Sequence, residues 1–354
     1  MAIYIVTMFF IIGWYPILKN TFNKNGKKYY CILACILLSL LIGLRHESLG
    51  MYDTEYLYIP NFKQICKMTM FEVLRTFDFF RGNGLYICTK IFTYLSTNQY
   101  LWLFVTSLPF TISFSYFVYK YSKLPSLSFF LIFGLRIYLV NFFLIRQSIA
   151  AAILIWSYEF IKNKKLIPFI LTVLLASWFH TTAIVFFIAY PLVHFKIGFK
   201  QMIAILGCLY IAIYYKADFF EFIFSLFGDV YYSGYYTTAT SFDTLTYFYI
   251  YLLIVGIIVI LKWGRVYSED DKIMINCLNI ATGFMAFSTI LAEFYRIGMF
   301  FGAFGAVALA NAYVDTRFKQ YRIFIYIVII VLFGAYAIKG IADMSMYPYK
   351  SCFS

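Results

Sequence analysis

The chain has 354 residues, of which 63% are hydrophobic and 13% are charged, and its net charge is +13. A soluble domain of this size cannot bury so much apolar surface, so the composition excludes a soluble globular protein and indicates one that crosses a membrane several times. The positive charge is spread in small groups, without the basic cluster or motif that nucleic-acid binding requires, and no nucleic-acid partner is expected.

Seven cysteines occur along the chain, mostly inside apolar runs, and their spacing is not that of metal ligands. Their odd number argues against a disulfide framework, so neither disulfides nor a zinc site are expected. No other pattern in the sequence requires a bound cofactor, and none is predicted.

The apolar runs predict an all-α polytopic membrane protein with about twelve transmembrane helices, an outward-facing cleft and partly structured outer loops. The whole chain, residues 1–354, is predicted to form a single integral membrane domain. Two segments, 45–99 and 216–244, are too polar to span and should lie outside, the first with an amphipathic piece at 85–96. The predicted spans are 2–18, 30–44, 100–119, 127–143, 146–161, 166–178, 181–195, 201–215, 245–261, 273–291, 296–313 and 321–338.

Basic residues concentrate in alternate connections between these spans. They fall at Lys19–Lys28, Lys120–Lys123, Lys162–Lys165, Lys196–Lys200, Lys262–Lys272 and Arg317–Arg322. Positive charge resists translocation, so these connections are predicted to be cytoplasmic, and both termini then lie outside.

The outer side collects polar residues that are unusual near a membrane. They are Arg45, His46 and Glu47; Asp53 and Tyr56; Arg146 and Gln147; His180; the tyrosines of 231–236; and Glu293, Tyr295 and Arg296. Arg136 lies inside a predicted span and should face protein or water rather than lipid. Arginine placed against the usual charge bias favours an anionic ligand, because its planar fork of donors matches phosphate.

The order of these motifs resembles that of the EpsG family. The matching elements are Gly43-Leu44-Arg45, Gly50 with Asp53 and Tyr56, Arg146-Gln147 at the start of a span, Phe179-His180, a tyrosine-rich outer loop and Tyr295-Arg296. The resemblance extends from Gly43 to Phe300, and it implies functional roles for Arg45, Asp53, Arg146, Gln147, His180 and Arg296. The family's late element varies at the positions of Glu293 and Tyr295, and Arg136 is not part of the resemblance.

This resemblance implies a Wzy-type polysaccharide polymerase at the outer face of the cytoplasmic membrane. Such an enzyme joins oligosaccharide repeat units carried on undecaprenyl diphosphate, which serve as both donor and acceptor, into O-antigen, capsule or exopolysaccharide. Membrane lipid, a chain-length regulator and a flippase are the other expected partners. No Asp-x-Asp pair occurs in the outer segments, so a metal-independent transfer is predicted.

The chemistry of this reaction suggests a role for each candidate, including Arg136, which the resemblance does not cover. Arg146, Arg296, Arg45 and Arg136 would bind the donor's diphosphate and stabilise it as it leaves. His180 would remove the proton from the acceptor hydroxyl, with Asp53 and Glu47 as rival bases. Other parts of the substrate would contact Gln147, Glu293, Tyr295 and Tyr56.

Two other functions remain open at this point. A flippase or transporter of the lipid-linked unit would favour interrupted helices at the membrane midplane. A polysaccharide acyltransferase would need a histidine with access to a cytoplasmic thioester. The residues also have structural alternatives: Arg45 can be an interfacial anchor, and Arg296 can pair with Glu293 one helical turn away.

Overall fold

The computed structural model describes residues 1–49, 51–76, 82–194, 243–288 and 293–353, together with single residues between 204 and 215. Nearly all of the predicted span 201–215 and of the outer segment 216–244, including its tyrosines at 231–236, lies outside the described residues.

The described residues are helical almost throughout, as the apolar runs predict. The main helices are α1 (Ala2–Phe22), α2 (Gly26–Gly43), α3 (Ile59–Lys67), α4 (Met70–Arg75), α5 (Gly84–Thr93), α6 (Gln99–Tyr121), α7 (Pro125–Gly134), α8 (Ile145–Lys162), α9 (Leu166–Phe179), α10 (Asp243–Leu261), α11 (Glu269–Phe287), α12 (Glu293–Val314) and α13 (Arg322–Asp343). The amphipathic piece predicted at 85–96 is α5.

Within the described ranges, four helical stretches are long and apolar enough to cross a membrane: Ala2–Gly43, Gln99–Tyr121, Phe294–Val314 and Lys319–Asp343. The first is a hairpin of α1 and α2, closed where the Tyr30 hydroxyl donates to the Ile11 carbonyl at 2.7 Å. Shorter apolar helices follow at Pro125–Gly134, Leu166–Phe179, Thr181–Leu192 and Thr246–Leu261. The chain is therefore an all-helical, multi-pass membrane protein, and the number of twelve spans stays a prediction.

Two predicted spans have a different form in the structure. The run 127–143 is not one helix, because α7 ends at Gly134 and a four-residue helix, Ile137–Val140, begins after Arg136. The run 181–195 forms a 3-10 helix, Thr181–Ile188, followed by a single α-turn, Ala189–Leu192. A 3-10 stretch of eight residues is long for this geometry, which usually occurs in pieces of three or four.

The chain forms two compact units. The first comprises Met1–Phe187 and Phe318–Ser354, and the second comprises Ile188–Arg317. In the first unit α6 lies antiparallel to α2, with the hydroxyls of Ser39 and Thr111 2.7 Å apart, and α8 lies beside α6, where the Trp156 indole donates to Ser113 at 2.9 Å.

The first unit has two chemically different ends. The site end is defined by residues 41–49, 136–146, 178–181 and 343–353, and the lysine end by residues 19–28, 120–123 and 162–165. At the lysine end the Lys27 ammonium donates to the Ser122 carbonyl at 2.6 Å, and Lys162 lies 5.1 Å from the centre of the Tyr121 ring. The start of α1 lies at the site end, because the Tyr4 hydroxyl donates to the Met346 carbonyl. The predicted alternation of lysine-rich and arginine-bearing connections therefore holds within this unit.

The second unit contains α10, α11 and α12. Gly305 lets α12 approach α11 closely, because a Cβ at this position would lie 2.7 Å from the Leu278 side chain. One end of the unit is fixed by the buried ammonium of Lys262, which lies 2.5 Å from the Asp271 carboxylate and 3.2 Å from that of Asp315.

Candidate functional site

Arg45 follows the last turn of α2 and is almost fully buried, with 1% of its surface exposed. Its Nη1 donates to the Ile42 carbonyl at 2.6 Å, and its Cζ lies 5.7 Å from the centre of the Phe142 ring. Its Nε has no hydrogen-bond partner, and no carboxylate among the described residues pairs with it. Burial lowers the pKa of the guanidinium, while Tyr138, Tyr349 and Tyr4 oppose that shift. Arg45 is thus an enclosed cation and not the interfacial anchor that was its structural alternative.

Three tyrosines lie around this guanidinium, from three distant parts of the chain. The Tyr4 ring meets that of Tyr349 edge to face at 5.9 Å, and Tyr138 meets Phe142 at 5.7 Å. Each phenol donates to a main-chain carbonyl: Tyr4 to Met346 (3.1 Å), Tyr138 to Leu38 (2.6 Å) and Tyr349 to Leu41 (2.9 Å).

Residues 344–353, here called the C-terminal segment, cover Arg45. The segment pairs with the end of α2 through an isolated antiparallel bridge between Arg45 and Ser351. Two main-chain hydrogen bonds flank the bridge, from His46 to the Lys350 carbonyl at 3.0 Å and from Cys352 to the Leu44 carbonyl at 2.8 Å.

Phe142 connects Arg45 to the predicted Asp53 motif. Its carbonyl accepts a hydrogen bond from the Thr54 hydroxyl at 3.0 Å, while its ring faces Arg45. Thr54 begins a π-helix, Thr54–Tyr58, directly after Asp53. Such π-turns are rare and often occur at functional sites. The structure therefore brings the Arg45 and Asp53 motifs, separate in sequence, onto one segment before α8.

Tyr58 joins Asp53 to Arg146 at the start of α8. The main-chain N–H of Arg146 donates to the Tyr58 hydroxyl at 3.5 Å, and the Arg146 side chain bonds to the same phenol. Burial raises the pKa of Tyr58, Arg146 opposes the rise, and the nearby Asp53 adds to it. Arg146 is partly exposed, and Gln147 beside it is buried. The N-terminus of an 18-residue helix also favours an anion at this position.

The other residues near Asp53 that were predicted to lie on the outer side differ in solvent accessibility. Tyr56 is exposed and stacks on Tyr52 with ring centres 4.3 Å apart. Glu47, the rival base, accepts a hydrogen bond from the Gln99 side chain at 2.7 Å. Glu47 is therefore already engaged, whereas Tyr52 and Tyr56 face outward.

His180 ends α9, where the backbone becomes extended. The neighbouring helix α8 has 18 residues and α9 has 14, so at 1.5 Å per residue α9 is about 6 Å shorter than α8. The backbone of a glycine turn packs directly against His180. Gly82 has φ +64°, and a Cβ there would lie 3.0 Å from the Phe179 carbonyl and 3.1 Å from the His180 Cα.

Arg136 interrupts the run between α7 and α8 and is held by α13. It has φ +59°, and its Nη2 donates to Asp343 at 3.1 Å. Its Nε donates to the Tyr336 carbonyl at 3.3 Å, and its Cζ lies 4.0 Å from the Tyr336 ring. The prediction that Arg136 faces protein is confirmed, and the geometry favours a structural role for it.

Tyr295 and Arg296 lie in the first turn of α12, in the second unit, and both are partly exposed. The Tyr295 ring lies 4.3 Å from that of Tyr247 on α10. α12 begins at Glu293, whose side chain lies outside the described residues.

Several buried polar atoms without partners lie in the site end or within two residues of it. Besides Arg45 Nε, these are the hydroxyls of Ser148 on α8 and Thr182 after His180, counted over the described residues. Buried polar groups are normally satisfied, so such a concentration indicates a place where a polar ligand or water belongs. In the same part of the chain no group of three or more His, Cys, Asp and Glu side chains is arranged to hold a metal ion.

Several contributors to this site were not predicted from the sequence, among them Tyr58, Gly82 and Tyr349. Gly82 had a detectable signal, because it stands in the run Gly82-Asn83-Gly84. Tyr58 and Tyr349 are two of 34 tyrosines and have no local signal.

Comparison with known families gives one relevant finding. A sequence model of the EpsG family matches residues 28–351, nearly the whole chain. Neither curated proteins nor solved structures give a match.

Proposed function

The chain belongs to the EpsG family, whose members are Wzy-type polysaccharide polymerases, and we propose that it joins undecaprenyl-diphosphate-linked repeat units at the outer face of the cytoplasmic membrane. The observation that carries this proposal is the group formed by Asp53, Tyr58 and Arg146, next to the buried cation of Arg45. It combines donors for a diphosphate with a carboxylate and a phenol.

In this proposal the diphosphate binds at the start of α8. The Arg146 fork donates to its oxygens, and the dipole of α8 adds to the attraction. These groups are fixed before reaction, so they stabilise the negative charge that develops as the glycosidic bond to the diphosphate breaks. The expectation that Arg296, in the second unit, also donates to the diphosphate stays a prediction from the sequence. Arg136 acts indirectly, because its contacts with Asp343 and Tyr336 hold the segment that leads to Arg146.

Acceptor activation is assigned to His180. A neutral imidazole can accept the proton of the attacking hydroxyl. His180 ends α9, which is shorter than α8, and this position suits contact with a sugar whose diphosphate lies at Arg146. Asp53 is the alternative base, because it lies beside Tyr58. Gln147, Tyr56, Tyr295 and Glu293 are proposed to contact the sugars.

The test is polymerisation by purified protein in liposomes supplied with synthetic lipid-diphosphate repeat units, with products separated on a gel. A ladder of polymer supports the proposal. Transfer of unchanged repeat units across the bilayer without a ladder would instead indicate a flippase, and acylated single units would indicate an acyltransferase. In cells, deletion of the gene should leave single repeat units on the surface.

A further inference from the structure

The environment of Arg45 differs from that of the other buried arginine in the first unit. Arg136 is buried with a carboxylate, a carbonyl and an aromatic ring around it. Arg45 has one carbonyl 2.6 Å away and an unsatisfied Nε, and no acid pairs with it among the described residues. An enclosed charge without a counter-ion is strongly unfavourable. The arrangement is therefore that of a cation whose anion has yet to bind.

The cover over Arg45 is held by few polar interactions and by the buried side chains of Met344 and Met346. The pairing consists of one bridge with two main-chain hydrogen bonds, and two phenols add a hydrogen bond each. A single pair of short extended segments is marginal in stability. The C-terminal segment can therefore leave without unfolding α2 or α13.

Opening would also free hydrogen-bond donors. The Tyr4 hydroxyl now donates to the Met346 carbonyl, which belongs to the C-terminal segment. When that carbonyl leaves, Tyr4 can donate to the same anion as Arg45. Tyr138 keeps its bond to Leu38 and so preserves the floor of the site.

We propose that Arg45 and Tyr4 form a phosphate-binding site closed by residues 344–353, and that this C-terminal segment lifts to admit a diphosphate group. The proposal deepens the proposed function, because it names a gated phosphate subsite for the lipid-linked donor. Its ligand chemistry is a phosphate or diphosphate, whether free in solution or attached to a lipid.

A reversible cross-link tests the gate. Leu44 and Cys352 lie opposite each other across the bridge, and antiparallel partners of this kind are about 5.5 Å apart at Cα, within disulfide range. Leu44→Cys, with Cys352 as the only remaining native cysteine, is oxidised and then reduced again. The matched control, Leu44→Cys with Cys352→Ser, receives the same treatment.

Binding of sodium pyrophosphate and of farnesyl diphosphate to the purified protein is measured by calorimetry. The reduced protein should bind at least about 10-fold more tightly than the cross-linked protein, corresponding to loss of one charged hydrogen bond. Arg45→Gln should bind like the cross-linked form. Equal binding in both redox states, or no binding in either, would overturn the proposal. Tighter binding of farnesyl diphosphate identifies a lipid-linked ligand, and equal affinity identifies a free anion.

A second measurement covers the case in which the disulfide does not form. Met346 belongs to the C-terminal segment and is fully buried while the segment is closed. A thiol at Met346→Cys therefore reacts with a methanethiosulfonate reagent only after opening. Tyr349→Phe removes the bond to Leu41 and should speed labelling about 2- to 10-fold. Pyrophosphate should speed it as well. If neither change alters the rate, the gate is excluded. Both readouts are independent of polymerisation, so failure of the proposed function would appear separately, as the absence of a ladder from the parent protein.

Discussion

Nη2 of Arg136 lies 3.1 Å from Oδ2 of Asp343, although the two residues are 207 positions apart. The contact joins a break in the membrane-embedded chain to the end of α13. It lies close to both the segment that leads to Arg146 and the one that covers Arg45, so its loss should affect both.

The first prediction is that Asp343→Leu destabilises the protein by about 2 to 4 kcal/mol, because it leaves the Arg136 charge buried without a carboxylate. The double variant Arg136→Met with Asp343→Leu should recover part of the loss, since no charge is then stranded. Thermal unfolding in detergent measures both. Lys120→Met at the more exposed Lys120–Glu159 pair is the control and should change stability by less than about 1 kcal/mol.

The second prediction concerns geometry at the proposed diphosphate site. Arg146→Lys and Arg296→Lys keep the charge but lose the planar fork, so polymer yield should fall about 10- to 100-fold at equal protein abundance. Arg75→Lys, the same change at an exposed arginine of the first unit, should retain full yield. Wild-type ladders from both Arg146→Lys and Arg296→Lys would contradict bidentate binding.

The third prediction is that His180→Ala lowers the polymerisation rate about 10²- to 10⁴-fold, the usual effect of losing a general base. The measurement is initial rate in liposomes at equal protein content. His194→Ala is the matched control, because His194 is exposed and lies in the second unit. If His180→Ala works normally and Asp53→Asn does not, the base is Asp53.

The fourth prediction tests whether the glycine turn at Gly82 positions His180. Gly82→Ala forces a side chain into a positive-φ position and against the Phe179 carbonyl and His180 backbone. We expect polymerisation to fall at least about tenfold, because a displaced base loses its alignment. Gly13→Ala, where no atom lies within 4 Å, should be silent. Equal rates for the two variants would show that the glycine turn does not position His180.

Local patterns predicted the helices well and the long-range contacts poorly. Apolar run length located α1, α6 and α9 within a few residues, because a membrane span is a local property of the chain. The break at Arg136 was not foreseen, since a non-glycine residue with φ +59° depends on its contacts with α13.

In the candidate site, too, local features could be predicted from the sequence and long-range contacts could not. Arg45, Arg146 and His180 stand out as polar residues among apolar neighbours, so they were visible in the sequence as candidates. Their environments were not. Tyr349 reaches Leu41 across 308 positions, and no periodicity in either segment specifies that pairing. The result is that Arg45, whose structural alternative was an interfacial anchor, is an enclosed cation.

The fifth prediction tests sidedness. Single cysteines at Ser351 and Lys164, in a cysteine-free background, lie at the site end and the lysine end of the first unit. An impermeant thiol reagent added to intact cells should label only Ser351→Cys, because the lysine end is predicted to be cytoplasmic. Both should react once the membrane is opened. Labelling of Lys164→Cys in intact cells would reverse the proposed orientation.

The pairing of residues 344–353 with the end of α2 also affects how the protein is made. Met346 is 342 positions after Tyr4, its hydrogen-bond partner. During synthesis α1 and α2 therefore enter the membrane long before the C-terminal segment that shields Arg45 is made. The Arg45 guanidinium stays uncovered while the later helices insert. A nascent chain stalled before α13 would expose the Arg45 guanidinium, and this exposed charge is a feature by which membrane proteases could distinguish it from the folded protein. An affinity tag placed directly after residue 353 would disturb the pairing that shields Arg45, so a tag for expression belongs elsewhere.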